Sequence, residues 1–234
     1  MISWPLVQSS IRPLLGGLVL TISYTFIVII ISLVAGVPVA WGRLSRHRMV
    51  RITVTAYVNL FRSTPLLIQL VYIYYALPVV GISLSAPVAG VIGLSLHYTA
   101  YIAEVYRGAI EAVPRGQRDA ALALGMKSRA IELRIVLPQA LRSVIPALGN
   151  YFVGLLKDTS LLSVLTVQEL LFTGQLIAAK SYDYFTIYTM IFAIYLAVGS
   201  VAIWMVRRIE HRIASQSLTR RRPRLSLNTD ASGS

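Results

Sequence analysis

The chain has 234 residues, of which 56% are hydrophobic and only 13% charged, against about 25% charged in an ordinary soluble domain. It carries 22 Lys and Arg against 9 Asp and Glu, a formal charge of +13, and no cysteine, which excludes structural disulfides and thiolate metal sites. No charged residue lies between Arg12 and Arg43, between Arg62 and Glu104, or between Asp183 and Arg207. A helix crossing the hydrocarbon core takes about 20 residues at about 1.5 Å each, so these runs predict an all-α integral membrane protein.

Five spans are predicted in chain order. The first covers Leu15 to Trp41. Its apolar stretch is too long for a signal peptide, and Arg43 and Arg46 follow it where small residues would mark cleavage, so it is read as retained. The next charge-free run exceeds one span and breaks at "PVVGISLSAP", where Pro78, Gly81 and Pro87 favour a tight turn. That gives a second span over Thr64 to Leu77, starting as early as Val58, and a third over Val88 to Tyr106. The fourth covers Val144 to Leu165 and the fifth Thr186 to Val206. Residues 1–212 form the membrane domain, and 213–234 a basic, disordered tail near anionic headgroups.

The basic residues fall on alternate sides. One side holds Arg43, Arg46, Arg48 and Arg51; then Arg107, Arg115, Arg118, Lys127, Arg129, Arg134 and Arg142; then the arginines from Arg207 to Arg224. The other holds Arg12 and Lys180. Positive charge stays in the cytoplasm, so the N-terminus is predicted outside and the C-terminus inside. The charge is thereby explained by topology, and a nucleic-acid partner is not expected.

The loop from Arg107 to Arg142 is long for so small a membrane protein, and such loops usually carry function. Its centre, "QRDAALALG", reads as a short helix with Asp119 in the first turn, a low surface of Ala120, Ala121 and Ala123, and Gly125 ending it in the left-handed region. Ser128 is placed to cap a second helix running to Pro138. Leu122 and Leu124 point about 200° apart, too far for the apolar face of a membrane anchor. A helix with small side chains suits a groove in another protein.

Ionisable groups inside spans are costly and mark function or pairing. Glu104 has Arg107 three residues on as a ready partner, and both an interfacial ion pair and a place in a solute pathway stay open. Arg62 reads as snorkelling to the interface. Lys157 and Asp158 lie near mid-span, followed by Thr159 and Ser160. Two readings stay open: a polar cavity that serves a zwitterionic solute, or an ion pair locking two helices.

Other chemistry is not apparent. His47, His97 and His211 are scattered, and no H-E-x-x-H, G-x-S-x-G or G-x-x-x-x-G-K-[ST] sequence occurs. An ion-coupled secondary transporter or a small channel would also need such spans. Neither explains the loop from Asp119 to Pro138, and no internal repeat of the kind common in secondary transporters is visible.

That loop resembles the EAA signature of binding-protein-dependent ABC importer permeases: Glu-Ala-Ala, three residues, Gly, nine residues, Ile, one residue, Leu-Pro. Here it reads Asp119-Ala120-Ala121, Gly125, Ile135 and Leu137-Pro138, with every spacing kept and Asp in place of Glu. "LFRSTPLLIQL", "TAYIAEVYRGAI", "AVPRGQ", "LPQALRSVIPALGN" and "LLKDTSLLSVL" resemble the polar amino acid branch of that family, so the likeness covers about residues 14 to 212. It implies the type I importer permease fold, pairing with a second permease (self or paralogue), and location in a prokaryotic cell membrane. It also implies that ATP and Mg are bound by two separate ATPase subunits, and that an extracytoplasmic solute-binding protein delivers the solute. The coupling helix would dock on the ATPase through Gly116, Gln117, Asp119, Ala120, Ala121, Gly125 and Pro138. Solutes of the class are polar amino acids and relatives such as cystine, opines or compatible solutes.

Overall fold

A computed structural model describes residues 2–219, with side chains as far as Arg212. Every regular element among the described residues is helical. Helix α1 (Trp4–Arg43) extends beyond the predicted span at its N-terminal end, because Pro5 falls in the first turn, where its missing N–H costs nothing, and Arg12 sits on an otherwise apolar rod. Helix α4 (Ala86–Glu111) matches the third span, and α9 (Tyr184–Thr219) contains the fifth. These three are long and apolar enough to cross a membrane. Two bent helix pairs also pass the test of length and hydropathy, which makes up to five if each pair counts as one span. Part of the basic tail, residues 220–234, lies outside the described residues.

The first bent pair corrects the second predicted span. It is an amphipathic helix α2 (Arg48–Ser63), a break, then α3 (Leu66–Val71) prolonged by looser turns to Val80, with 109° between the two arms. Pro65 has no N–H and pushes Thr64 into extended backbone, so the helix cannot run through. Backbone carbonyls freed at membrane depth need donors. The Gln69 amide supplies them, donating to Phe61 O at 2.8 Å and Thr64 O at 3.0 Å. Gly81 closes the following turn at φ +88°, as its position in the sequence predicts.

The second bent pair corrects the fourth. A helical stretch α6 (Ser128–Ile131) widens by a turn and becomes α7 (Leu137–Asp158). The α-helix ends at Asp158, a tighter coil carries Thr159–Leu165, and α8 (Leu170–Ser181) follows at 48°. The span therefore continues through what the sequence suggests is an outer loop. Lys157 and Asp158 stand at a change of helical winding, not inside an unbroken helix.

The largest core joins α1, α3, α4 and the coil after α7 around Val28, Leu70, Leu94, Ile102, Leu155 and Leu162, all fully buried. A second joins α1, α8 and α9 around Leu14, Leu170, Ile187 and Ile191. There Gly174 lets helices touch: a Cβ on it would stand 2.2 Å from Ile191 Cδ1. Small residues at such crossings replace the hydrophobic driving force that lipid removes. The starts of α1 and α9 are tied directly, the Ser3 N–H donating to Thr186 Oγ1 at 3.1 Å.

Candidate functional site

The predicted short helix is α5 (Arg115–Ala123). Gly116, Gln117, Asp119, Ala120, Leu122, Leu124 and Gly125 are all exposed on it or at its end. Ala121 is the exception. It is 3% exposed and packs with Val113, Ile131 and Val136 in a small core beneath the helix. Two local expectations need correction. Asp119 is the fifth helical residue, so it lies past the first turn, because the helix starts at Arg115 after Pro114. Ser128 is the first residue of α6 and makes no cap bond; Lys127 holds the cap position.

Gly125 ends the helix as predicted, at φ +74°. The Met126 N–H donates to Ala121 O at 3.1 Å and the Gly125 N–H to Leu122 O at 2.9 Å, the paired bonds of a helix stop that needs a left-handed residue. Pro138 is exposed at the second position of α7. Beside it, Gln139 Nε2 donates to the Gln117 Oε1 of α5 and to Ile135 O. The two halves of the motif are thus bonded to each other, and α5 is fastened to the root of the helix that carries Asp158.

A polar and aromatic cluster lies further along α7. Tyr98 of α4 donates its hydroxyl to Asp158 Oδ2 at 2.7 Å. Tyr151 of α7 meets Tyr98 edge-on, with ring centroids 6.2 Å apart, and Tyr101 at 5.9 Å. His97 contacts Tyr101 and shares a 3.0 Å hydrogen bond with the Gln69 side-chain oxygen, tying the first break to the cluster. The Arg62 guanidinium lies 5.3 Å from the Tyr101 ring centroid, within cation–π range.

Lys157 and Asp158 diverge, as adjacent helical positions must. Asp158 faces α4, while Lys157 is exposed on a groove of about 330 Å³ shared with Ser160, Phe192, Tyr195 and Ser200. The locking ion pair is not formed, since Lys157 makes no ion pair among the described residues. Thr159 is fully buried and its hydroxyl donates to Leu156 O at 2.8 Å. Ser160 likewise donates to Lys157 O at 2.7 Å. Both hydroxyls are spent on stabilising the change of winding, and Thr159 is withdrawn from any cavity.

Glu104 gathers three arginines. Its Oε1 accepts from Arg43 Nε at 2.9 Å and Arg107 Nε at 3.0 Å, and its Oε2 from Arg107 Nη2 at 3.0 Å and Arg62 Nη1 at 3.4 Å. This knot joins the ends of α1, α2 and α4, so the ion-pair reading of Glu104 describes its geometry. Arg62, predicted to snorkel, is bonded inward instead.

Sequence reasoning missed Glu169, read as part of an outer loop. It is 0% exposed. Its carboxylate accepts from the Leu171 and Phe172 N–H groups at 2.9 and 2.7 Å, from the Tyr195 hydroxyl at 3.0 Å and from Thr21 at 3.4 Å. It caps α8 and joins that helix to α1 and α9. The tyrosines of the cluster were missed as well. Their signal was available: Tyr98 and Tyr101 stand one turn apart on α4, and Tyr151 and Asp158 two turns apart on α7.

The described residues thus form an apolar helical bundle with two bent helix pairs, a buried polar and aromatic cluster, and an exposed helix bonded to the root of α7. The chain belongs to the family of binding-protein-dependent transport system inner membrane components, whose model matches residues 29–215. It is 40% identical over 202 residues to a probable amino-acid ABC transporter permease, y4tG, of Sinorhizobium fredii, covering 86% of this chain and 87% of that protein. It is 40% identical over 183 residues to the L-cystine transport system permease TcyB of Bacillus subtilis, covering 78% of each. The crystal structure of an amino acid ABC transporter with histidines superposes with a TM-score of 0.87 at 31% identity, covering 91% of this chain and 99% of that one. The MetNI methionine ABC transporter in an inward-facing conformation shares the fold, with a TM-score of 0.66 at 24% identity and coverage of 91% and 99%. The protein is a multi-pass permease subunit of an ATP-driven importer, not itself an enzyme, and it works with ATPase and substrate-binding partners.

Proposed function

We propose that this permease imports a polar amino acid or a close relative, energised by two copies of a separate ATPase that bind ATP and Mg. The carrying observation is the Gln117–Gln139 bond, which fastens the exposed helix α5 to the base of α7. Closure of the ATPase dimer would move α5 through its exposed Gly116, Gln117, Asp119, Ala120 and Gly125, with Pro138 beside it. Ala121 anchors the helix from below. Movement of α7 would then displace Asp158 relative to Tyr98, opening a path beside them alternately to either side.

An α-amino group suits the Asp158 carboxylate, and the tyrosine rings offer faces to a cation. Lys157 offers the opposite sign on the far face of the same turn. A second permease, identical or paralogous, would complete the pathway, and an extracytoplasmic binding protein would deliver solute. The N-terminus lies outside and the C-terminus in the cytoplasm of a prokaryotic cell, as the arginine distribution requires. The amino acid assignment follows the names of the relatives and leaves cystine among the first solutes to test.

The test is uptake into proteoliposomes that hold the permease, with and without its ATPase and binding protein. Uptake of radiolabelled amino acid is expected only with ATP and the ATPase inside the importer. Uptake driven by an ion gradient in the permease alone would overturn the reading in favour of a secondary transporter.

A further inference from the structure

An apolar slot of about 190 Å³ opens where α1 and α4 end and α7 begins, walled by Val37, Ala40, Trp41, Ile110, Leu137 and Val144. Beside it lies a second pocket of about 360 Å³ that shares three of its lining residues, Trp41, Ile110 and Leu137. That pocket is bordered by Glu111, Arg118 and Glu132. Two ion pairs stand there: Arg118 Nε to Glu132 at 3.3 Å, and Arg107 to Glu111. In each pair the carboxylate is the more exposed partner, 53% for Glu132 and 52% for Glu111, against 27% for both arginines.

We propose that the slot and pocket together hold one phospholipid whose head group carries a phosphate and a protonated primary amine. The upper part of one acyl chain would lie in the slot, with the rest of the lipid's hydrocarbon in the bilayer; the rim residues Val37 and Trp41 are 40% and 56% exposed within an apolar span. Trp41 suits the boundary between hydrocarbon and head groups. The amine donates N–H bonds to the exposed carboxylates of Glu111 and Glu132, and the phosphate accepts from Arg118. A trimethylated amine has no N–H to give, and a head group without an amine leaves the outward oxygens of Glu111 and Glu132 without a donor beyond their own Arg107 and Arg118. Arg118 belongs to α5, so such a lipid would bridge the coupling helix to α1, α4 and α7. This inference does not depend on which solute is carried.

The full chain, bound to its ATPase, is exposed to equal amounts of phosphatidylethanolamine, phosphatidylcholine and phosphatidylglycerol with matched acyl chains, and retained lipid is read by native mass spectrometry. Phosphatidylethanolamine is expected to exceed the other two by about tenfold, the equivalent of ~1.4 kcal/mol. Val37→Trp, which fills the slot from its exposed rim, is expected to abolish that excess. Glu111→Gln with Glu132→Gln is expected to shift the preference to phosphatidylglycerol, and this arm stands even if Val37→Trp fails to fold. Equal retention of the three lipids, or a wild-type excess surviving both changes, would overturn the proposal. So would a cross-link between two copies bearing Val37→Cys, since the chain has no other cysteine and the slot would then be covered by a second permease.

Discussion

Replacing Glu169 by Ala should be among the most damaging single changes in the membrane domain. The carboxylate is fully buried and serves four donors: two backbone N–H groups of α8, the Tyr195 hydroxyl and Thr21. Losing a helix cap costs roughly 0.5–2 kcal/mol. Each buried donor left without an acceptor adds about 1–3 kcal/mol, less where a neighbour or water takes over. Partial relaxation brings the sum to the order of 3–5 kcal/mol, at the upper edge of single substitutions. Glu169→Gln keeps one acceptor oxygen and should lose less. Thermal unfolding of the purified full chain in detergent should therefore rank wild type above Glu169→Gln above Glu169→Ala. Tyr195→Phe should weaken the wild type by about 1 kcal/mol and the Ala variant hardly at all, because the shared bond is already gone. Equal midpoints for all three residues at 169, or fully additive effects with Tyr195→Phe, would refute the assignment of Glu169 as the joint between α1, α8 and α9.

Gly125→Ala forces a side chain into the left-handed region at a cost of about 1–2 kcal/mol, so α5 should fray and hydrogen exchange at Met126 and Gly125's neighbours should quicken; unchanged protection would contradict the helix-stop geometry. Gly174→Ala should destabilise by about 1–3 kcal/mol through its clash with Ile191, and Ile191→Val should restore part of the loss in the same unfolding assay. Hydrogen bonds from the Thr186 N–H and hydroxyl hold the Asp183 carboxyl below the usual range. A depressed carboxyl stabilises the fold above its unfolded value of about 3.9 and ceases to as pH falls through the lower folded value. The difference in thermal midpoint between wild type and Asp183→Asn should thus be constant from pH 7 to 5 and shrink below about 4. A gap that stays constant down to the lowest pH would show that Asp183 does not anchor the start of α9.

Much of this was legible in the sequence. The charge-free runs locate α1, α4 and α9 because each of those helices has a long uncharged stretch and gathers its charges toward one or both ends. The Asp119–Pro138 spacing locates α5 and the root of α7 because glycine at φ > 0 and proline in a first turn leave local marks. The broken spans were hidden for a different reason. Helix α2 carries Arg48, Arg51 and Arg62, so its hydropathy falls below that of a span although its apolar face packs on α4. The stretch "TVQELL" looks like a polar connection because nothing in it shows that Thr21 and Tyr195, far away in sequence, surround Glu169 with donors. The cluster around Asp158 has the same origin: Lys157 and Asp158 announce themselves as charges, but that Asp158 meets Tyr98 and Lys157 turns to α9 depends on where α7 changes its winding.

The coupling account rests on α7 carrying motion from α5 to Asp158. The direct measurement compares Asp158→Asn and Gln139→Ala in the reconstituted importer, reading both solute uptake and copurification of the ATPase. Asp158→Asn should lower uptake by about tenfold or more, ~1.4 kcal/mol of barrier, with the ATPase copurifying in undiminished yield. Gln139→Ala, which cuts α5 loose from α7, should lower uptake per ATP hydrolysed. Wild-type uptake in Asp158→Asn, or unchanged uptake per ATP in Gln139→Ala, would contradict the account.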